Sequence, residues 1–477
     1  MQENSQAGAV LVRPVPADVR RAVRLSFMQA MLGAIYGAST GGMFLIGYAL
    51  ALGASNVDIG LMSTIPMLCI GVQLVTAAVV ERGVSRRKLT FAASLGNVSC
   101  WALIILIPYL LSGATPRVRV SCLIAIITAV TLFAYVTGNA RSSWVGDLIP
   151  GRFRGKFFGR ITLYSGIVAA VFAVVEGAFL DQIKLHGIGA FSLLFGFGMC
   201  FGLITAYLHL PQADVRLVRH RAGGSVPAMV KETLSNRPLM IVMAFATVWS
   251  LQTIAGPFYA TYMLRDLHMP FVGVGIVNSF FMIAFLAAGP FWGRIVDRWG
   301  CRPVLVACAF AFGPLQLCWL WLDSPQRVYW VIPPVNLIAG SVVAGVSVSL
   351  NTLIYKLTPT AGRSVQFAVY SIIVTLLAAP LPTVGGHLPD WLKAAGLPDD
   401  LRFTFYAAGA LIFLSALIAR KIHEPGSGRT GEMLRNIGLM RLPVVVRWWA
   451  VIAGEDEAEP DDVREADHGA DGGSKTG

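Results

Sequence analysis

The stretch GRIVDRWGCRPVL, residues 293–305, lies between two long apolar runs and places one acid and three arginines at the boundary. A related stretch, AAVVERGVSRRKL, occupies residues 77–89 and follows the second apolar run of the chain. Acid, Arg, Arg and Leu have the same spacing in both stretches, as Glu81, Arg82, Arg86 and Leu89 and as Asp297, Arg298, Arg302 and Leu305. This match indicates an internal repeat.

A second pair of matching segments supports the same repeat. The pattern Pro-x3-Arg-x3-Phe occurs at residues 150–158 and again at residues 359–367, with Arg154 and Arg363 at its centre. The two pairs appear in the same order and with nearly the same separation. Because each copy contains six apolar runs and starts on the same side, the repeats are predicted to be parallel, not inverted.

The composition fixes the class of protein. Of the 477 residues, 55% are hydrophobic and 13% are charged, and the mean hydropathy is +0.65. Soluble domains carry roughly 25% charged residues, so this chain has too few charges to cover a soluble surface. Disorder, a nucleic-acid-binding domain and a disulfide scaffold are excluded as the whole answer, and a polytopic helical membrane protein is predicted.

A membrane helix needs about 20 apolar residues, and the chain contains twelve such runs. The predicted spans 1 to 12 are residues 25–53, 57–80, 89–112, 118–140, 161–180, 187–209, 238–263, 271–295, 303–322, 329–354, 364–386 and 403–420. Most Lys and Arg residues between spans fall in loops that an N-inside orientation places in the cytoplasm. The fold class is therefore an all-α membrane protein of twelve transmembrane helices in two parallel six-helix repeats, with both termini inside.

This pattern divides the chain into five parts. A cytoplasmic segment, 1–23, precedes a six-helix bundle, 24–210; a cytoplasmic linker, 211–237, leads to a second bundle, 238–423; and a cytoplasmic tail, 424–477, follows. In the tail, residues 431–453 mix apolar side chains with arginines, which predicts an amphipathic segment on the membrane surface. Residues 455–477 are acidic and Gly-rich, which predicts a disordered end.

The repeated loops and twelve spans resemble the major facilitator superfamily of secondary transporters, and residues 293–305 carry that family's loop signature closely. The resemblance covers about residues 20–423. The first copy departs from it, because Ala77 and Val84 replace glycines and Glu81 replaces the usual Asp. Two further signatures are not found: span 4 lacks the Arg-x-x-Gln-Gly pattern, and span 5 lacks the Gly-Pro-rich antiporter pattern. Their absence argues against a proton-coupled drug antiporter.

The resemblance implies a gate on the cytoplasmic side. Span 2 would face span 11 and span 8 would face span 5, so that Glu81 lies near Arg363 and Asp297 near Arg154. A carboxylate at a helix N-terminus gains roughly 0.3–1 kcal/mol from the helix dipole. We expect these contacts to close the inner side in the outward-open state. The residues predicted to form the gate are Glu81, Arg82, Arg86, Arg154, Gly293, Asp297, Arg298, Gly300, Arg302 and Arg363. For the arginines, a role in topology alone is the alternative.

A substrate cavity is expected near the midplane between the bundles. Polar and aromatic residues at the corresponding depth are candidates for substrate binding; they are Tyr36, Thr40, Trp249, Gln252, Tyr259, Asn278 and Asn336. Hydrogen bonding between helices is the alternative role for each. Gly256 and Pro257 are expected to break span 7.

Charges inside the spans constrain the chemistry. Glu176 is the one acid well inside a predicted span and is the candidate proton-coupling residue; a hydrated position near the outer mouth is the alternative. No basic residue lies deep in a span, which argues against a phosphate or dianion as substrate and favours a neutral, zwitterionic or amphipathic organic solute. Arg141, at the inner end of span 4, is the exception to watch.

Other chemistry is sparse. The seven cysteines form no CxxC pair, the seven histidines show no metal-ligand spacing, and neither a phosphate loop nor a GxSxG motif occurs. No cofactor, no metal and no enzymatic activity are predicted. The expected partners are a small-molecule substrate and the lipid bilayer, with protons as the candidate coupling ion; nucleic acid is not expected, and a monomer is expected.

The leading functional hypothesis is a secondary active transporter of the inner membrane that moves a small organic solute by alternating access. One alternative is a transporter-fold assembly or scaffolding factor for a membrane complex, suggested by the altered first-half loop and the long tail. A membrane-embedded enzyme acting on lipids is a second alternative, and the lack of a clustered acid, base or metal set argues against it.

Overall fold

A computed structural model describes residues 16–81, 84–148, 151–183, 187–212, 226–358, 363–398, 400–424 and 426–437. Every regular element in these ranges is a helix. The described residues up to Gly428 form one compact unit, and a second unit begins at Arg429. The predicted amphipathic segment, 431–453, lies mostly outside the described residues, as does the acidic end.

The first half contains eight helices, two of which are pieces of span 1 and two of span 2. They are α1 (Pro16–Thr40), α2 (Gly42–Ala51), α3 (Asn56–Leu68), α4 (Val72–Glu81), α5 (Arg86–Leu110), α6 (Pro116–Leu148), α7 (Gly151–Gln182) and α8 (Gly189–Tyr207). A short helix, α9 (Val226–Ser235), lies in the connection to the second half.

The second half repeats this order. Its helices are α10 (Arg237–Ser250), α11 (Phe258–Thr261), α12 (Phe271–Trp299), α13 (Cys301–Leu317), α14 (Pro325–Leu357), α15 (Arg363–Ala378), α16 (Leu381–Ala394) and α17 (Phe403–Ala419). The helix of the second unit is α18 (Thr430–Ile437).

The predicted spans are confirmed. Eleven helical segments in the described ranges are long and apolar enough to cross a membrane, and the shorter apolar helix α17 supplies the twelfth. Large apolar side chains such as Leu110 and Trp330 are exposed on the helices, as expected for a surface in lipid. Helix α6 has 33 residues and is about 50 Å long, so it extends beyond a 30 Å hydrocarbon core.

The first helix of each half is interrupted. Span 1 breaks at Gly41 and Gly42, where Gly42 has a φ of +52°, a conformation that glycine adopts without strain. Span 7 passes from α10 through a 3-10 turn at Leu251–Ile254 to the short α11 and then a π-helical turn at Tyr262–Asp266. The break predicted at Gly256 and Pro257 is therefore confirmed.

An aromatic triad in each half shows the repeat at the level of side chains. In the first half, Tyr48 donates to the carbonyl of Ile104 over 2.7 Å, and Tyr48 and Trp101 both pack against Phe195. In the second half the same arrangement is made by Tyr262, Trp319 and Phe405, and Tyr262 donates to the carbonyl of Leu322 over 2.5 Å. Each triad ties the first, third and sixth spans of its own half together.

Candidate functional site

A cavity of about 760 Å³ lies between α1 and α7 of the first half and α12 of the second half. It runs from the level of Phe44 and Gly275 to that of Arg141 and Ile161, which is the end predicted to face the cytoplasm. Ligand pockets for small organic molecules usually measure about 300–1,000 Å³. The size and the position between the two halves fit a substrate site.

Helix α1 makes room for the cavity through a stripe of small residues. They recur at helical spacing along one face, as Ala30, Gly33, Ala34, Gly37, Ala38 and Gly41. A Cβ atom at Gly37 would have no neighbour within 4 Å. The wall of α1 is therefore open backbone and methyl groups, and the shape of a solute is constrained mainly from the other walls.

Polar groups are few on the cavity wall and lie on several helices. They are Gln29, Arg141, Thr162, Ser165, Thr205, Asn278 and Ser279. Of the residues predicted to bind substrate, Asn278 is the one on this wall. Facing Asn278 and Ser279 across the cavity are the small residues of α1, so the polar groups of α12 are accessible to a bound solute.

Arg141 is a wall residue that the depth estimate placed at the edge of the membrane. Its Nη2 donates to the carbonyl of Ser26 at 3.5 Å and to Oε1 of Gln29 at 3.4 Å. The Gln29 amide also accepts from Gln212 and donates to Nδ1 of His209, each over 2.9 Å. An amide NH₂ cannot accept a hydrogen bond, so His209 must present an unprotonated Nδ1 to it.

The predicted residues of span 7 and span 10 lie away from this cavity. Trp249 packs between Phe245 and Phe312, and Tyr259 stacks on Phe405 and donates to Oε1 of Gln316. Neither belongs to the cavity wall, and both fill the interior of the second half.

The other residues predicted to bind substrate also lie off this cavity wall, so their role stays a prediction. Gln252 is partly exposed but not on this wall. Asn336 donates to the carbonyl of Val277 over 2.8 Å and so links α14 to α12. Tyr36 donates to Oδ1 of Asn97 over 2.7 Å, and Thr40 bonds to its own helix. Hydrogen bonding between or within helices is what the structure shows for these three.

Glu176 lies at the break in span 1. Its side chain is 3% exposed, and its Oε1 is 2.5 Å from Oγ of Ser39, two residues before Gly41. The same Ser39 Oγ is 2.9 Å from the carbonyl oxygen of Ile35. Oε2 of Glu176 has no hydrogen-bond partner in the described part of the chain. This burial argues against the alternative interpretation, a hydrated position near the outer mouth.

On the side predicted to face outward, α3 and α16 meet across the two halves. Oγ1 of Thr383 donates to Oγ1 of Thr64 over 2.8 Å. A Cβ at Gly386 would lie 2.5 Å from the carbonyl oxygen of Asn56, and one at Gly60 would overlap the carbonyl of Pro382. The two backbones are thus in direct contact.

A second contact closes the same side between α7 and α12. Asp181, at the end of α7, accepts hydrogen bonds from the backbone N–H groups of Phe271 and Val272 over 2.9 and 2.8 Å. These groups form the N-terminus of α12, so a carboxylate of one half caps a helix of the other. We call the α3–α16 and α7–α12 contacts together the outer seam. Sequence reasoning missed both, although Gly60 and Gly386 were visible in their spans.

The predicted cytoplasmic gate is described in part. The side chains of Glu81, Arg154 and Arg363 and the whole of Arg82 lie outside the described residues. Asp297 and Arg298 are exposed, and Arg298 lies over the ring of Trp299. A Cβ at Gly293 would have no neighbour within 4 Å. The pairing of Asp297 with Arg154 therefore stays a prediction.

Arg302 and Gly300 contact residues of their own half in this conformation, so their role in the gate stays a prediction. The Arg302 side chain donates to the carbonyl of Arg420 over 3.0 Å. Gly300 has a φ of +88°, and a Cβ there would lie 3.0 Å from Oε2 of Glu424. In the first half Arg87 donates similarly to the carbonyl of Leu210, over 3.3 Å.

Glu424 belongs to the same group of contacts at the start of α13, which we call the anchor of the second half. Sequence reasoning missed it. Its Oε2 accepts from the backbone N–H groups of Cys301 and Arg302 over 2.7 and 2.9 Å, and its Oε1 accepts from Nζ of Lys356 over 2.9 Å. Burial alone would raise the pKa of Glu424, but these hydrogen bonds and the Lys356 charge outweigh it and lower the pKa. Arg86, also predicted to gate, is buried at 2% exposure in the first half.

Known proteins are similar to this chain in sequence or in fold. The sequence model of the Major Facilitator Superfamily matches residues 248–454. The chain is 26% identical over 295 residues to the multi-drug resistance efflux pump PmrA of Streptococcus pneumoniae, covering 60% of this chain and 68% of that protein.

Two solved structures superpose on most of the chain. The nucleoside transporter NupG has a TM-score of 0.64 at 13% identity, covering 85% of this chain and 98% of NupG. A bacterial homologue of the human lysosomal transporter Spinster, in an inward-facing and unoccupied conformation, has a TM-score of 0.61 at 12% identity, covering 86% and 98%. With twelve spans, the duplicated loops and these matches, the resemblance of the chain to the major facilitator superfamily, a family of membrane transporters, is confirmed.

Proposed function

We propose that this chain is a secondary active transporter of the inner membrane that moves a small organic solute by alternating access. The observation that carries the proposal is a cavity with walls from both halves beneath a closed outer seam. In this interpretation the described conformation is inward-facing. The relationship to a multi-drug efflux pump favours export of an amphipathic solute.

The transport cycle would move the bundle 24–210 against the bundle 238–423. Opening outward requires the Asp181 cap and the Thr64–Thr383 bond to break while the cavity closes at its cytoplasmic end. Glu81 and Asp297 would then reach the N-termini of spans 11 and 5. On each side of the membrane a carboxylate would bind to a helix N-terminus, and the helix dipole stabilises both contacts by similar amounts. The outward-facing and inward-facing states could therefore have similar free energies.

Glu176 is the candidate proton site of this cycle. A serine hydroxyl has one hydrogen, so Ser39 cannot donate to both Glu176 and Ile35. A protonated Glu176 can donate to Ser39 while Ser39 donates to Ile35, whereas a charged carboxylate leaves one contact without its hydrogen. An unpaired charge at this depth is also costly. Proton release would therefore disturb the break in span 1 beside the cavity.

Flux in proteoliposomes tests the proposal. A panel of anionic, zwitterionic, neutral and cationic amphipathic solutes would be measured with and without an imposed pH gradient. We expect saturable flux for one charge class and acceleration by the gradient. Glu176→Gln should abolish the acceleration, while the matched control Asp323→Asn, at an exposed carboxylate, should keep it. No flux for any member of the panel contradicts transport, and flux indifferent to the gradient and to Glu176→Gln contradicts proton coupling.

A further inference from the structure

Arg141 is a cation whose hydrogen-bonding capacity is largely unused. A guanidinium has five N–H donors in a planar fork. In the described part of the chain its contacts come from one nitrogen, Nη2, to Ser26 and Gln29, and both are at the long limit for a hydrogen bond. Nε and Nη1 make no hydrogen bond or ion pair with any residue in those ranges, so they are available to a ligand.

Arg141 also sets the charge of the cavity. Among the described residues that line it, Arg141 is the one that carries a charge, and no carboxylate lies on the wall. Charges interact more strongly in such a site than in bulk water, because the surrounding dielectric constant is lower. The cavity therefore attracts an anion and repels a cation. Arg141 is therefore the exception that the sequence indicated, a basic residue at the inner end of a span that lines the cavity.

Much of the cavity wall is apolar. Met282, Phe285 and Leu286 of α12 line the cavity together with the small residues of α1. From Gln29 to Phe44 the cavity follows about 15 residues of span 1, which corresponds to roughly 22 Å of helix. A ligand that places a charged group at the inner end and an apolar body along this wall would satisfy both parts of the site.

The guanidinium is oriented weakly, through Nη2 alone. Gln29 accepts from Nη2, and Gln29 is itself fixed by His209 and Gln212. A neutral His209 adds no second positive charge. One planar cation matches one carboxylate through two parallel hydrogen bonds. A dianion or a phosphate dianion would carry more charge than the one guanidinium on this wall can pair.

We propose that Arg141 is the anion-recognition residue of this cavity and that the substrate class is amphipathic organic monocarboxylates. The inference rests on the proposed transport function and names its substrate class. It differs from the charge class that the span analysis favoured, which was neutral or zwitterionic.

Matched probes test the proposal. We suggest 2-naphthoate, its methyl ester and 2-naphthyltrimethylammonium, which share one ring system and carry charges of −1, 0 and +1. Binding to the full chain in lipid nanodiscs would be measured by equilibrium dialysis. We expect the carboxylate to bind at least about tenfold more tightly than the ammonium compound, the usual range for a charge-assisted hydrogen bond.

Variants assign the preference to Arg141. Arg141→Gln should weaken naphthoate by about tenfold to a hundredfold relative to the ester. Arg141→Lys keeps the positive charge but lacks the planar guanidinium, so it should retain part of the preference for the carboxylate probe. Retained binding in this variant would show that loss of binding in Arg141→Gln is not a folding defect. Arg327→Gln, which removes an exposed positive charge far from the cavity, should leave the order of the three probes as in the wild type.

Either of two binding results overturns the inference. The first is naphthoate binding the wild type no more tightly than the ammonium probe, including no binding at all. The second is an unchanged ratio to the ester in Arg141→Gln. Flux that prefers neutral or cationic solutes would overturn it too, while transport itself stands. Absence of flux for the whole solute panel would instead contradict the proposed function.

Discussion

Glycines have opposite structural roles on the two sides of the interface between the halves. In the outer seam Gly60 and Gly386 let the backbones of α3 and α16 touch, and an added Cβ at either would meet a carbonyl group. In the cavity wall Gly37 faces open space, and an added Cβ there would meet nothing within 4 Å. Glycine therefore allows close backbone contact in the outer seam and leaves open volume in the cavity.

The comparison explains how one side can be sealed while the other is open. Small residues are the usual contact between helices in lipid, since close approach increases van der Waals packing. The outer seam adds a charged cap, Asp181, and a hydrogen bond between Arg265 and Asn56 over 2.7 Å. At the cavity end, a Cβ added at Gly37 of α1 would meet no other atom within 4 Å among the described residues. Substitutions that fill the two ends should therefore have opposite effects on the conformational equilibrium.

Filling the outer seam should have the largest effect. Gly60→Leu places a side chain where the Pro382 carbonyl lies, and overpacking of this kind costs about 1–3 kcal/mol. We expect the inward-facing state to lose about tenfold to a hundredfold in population and transport to fall with it. The measurement is initial flux in proteoliposomes. Gly71→Leu, where a Cβ meets nothing within 4 Å, is the control; equal losses in both variants would count against the seam.

Filling the cavity should be nearly as damaging to transport but should leave the seam intact. Gly37→Leu adds a side chain to open volume, so we expect solute binding to weaken by at least about tenfold without loss of folding. Equilibrium binding and thermal melting are the measurements. Gly196→Leu also adds a side chain with no neighbour within 4 Å of its Cβ, but lies off this cavity wall. Full binding by Gly37→Leu would show that the solute binds elsewhere.

Removing the outer cap should have a moderate effect. Asp181→Ala deletes two backbone hydrogen bonds and a favourable charge at the start of α12. The expected cost to the closed seam is about 1–2 kcal/mol. Spin labels at the outer ends of α7 and α12 should report a larger population of long distances. The control is Asp323→Ala, which removes an exposed ion pair; a distance distribution unchanged in Asp181→Ala would refute the cap.

Changing the anchor inside the second half should have the smallest effect on transport. Glu424→Gln removes the charge that caps α13. Because the folded-state pKa of Glu424 is lowered, its stabilising contribution is present above the unfolded pKa and is lost as pH falls through the folded pKa. We expect the melting temperature of the variant to be lower at pH 7, with the difference disappearing in acid. A difference that persists in acid would mean that the charge is not responsible.

The fold was predictable because the sequence signals for it do not depend on how each helix is rotated about its own axis. Span lengths, the placement of Arg and Lys, and the two copies of the loop around Asp297 each act over many residues. The repeated triad of Tyr48, Trp101 and Phe195 was not predicted, since its members are far apart in sequence and their spacing differs slightly between the halves.

The residues that line the cavity could not be predicted from depth alone, because depth along a span does not say which way a side chain points. Tyr36 and Thr40 lie at the expected depth but bond to neighbouring helices or to their own. Arg141 was placed at the membrane edge, whereas α6 continues to Leu148 and carries the guanidinium to the cavity. One usable signal was present: Gly and Ala at residues 30, 33, 34, 37, 38 and 41 mark a single face of α1.

Paired cysteine accessibility tests the central claim most directly. In a background without the seven natural cysteines, Thr64→Cys reports the outer seam and Ser165→Cys reports the cavity. An impermeant maleimide added from the cytoplasmic side of vesicles should label position 165. The same reagent added from the outer side should leave position 64 unlabelled. With Gly60→Leu the order should reverse. Labelling of both positions, or a change in the same direction at both, would contradict alternating access through this cavity.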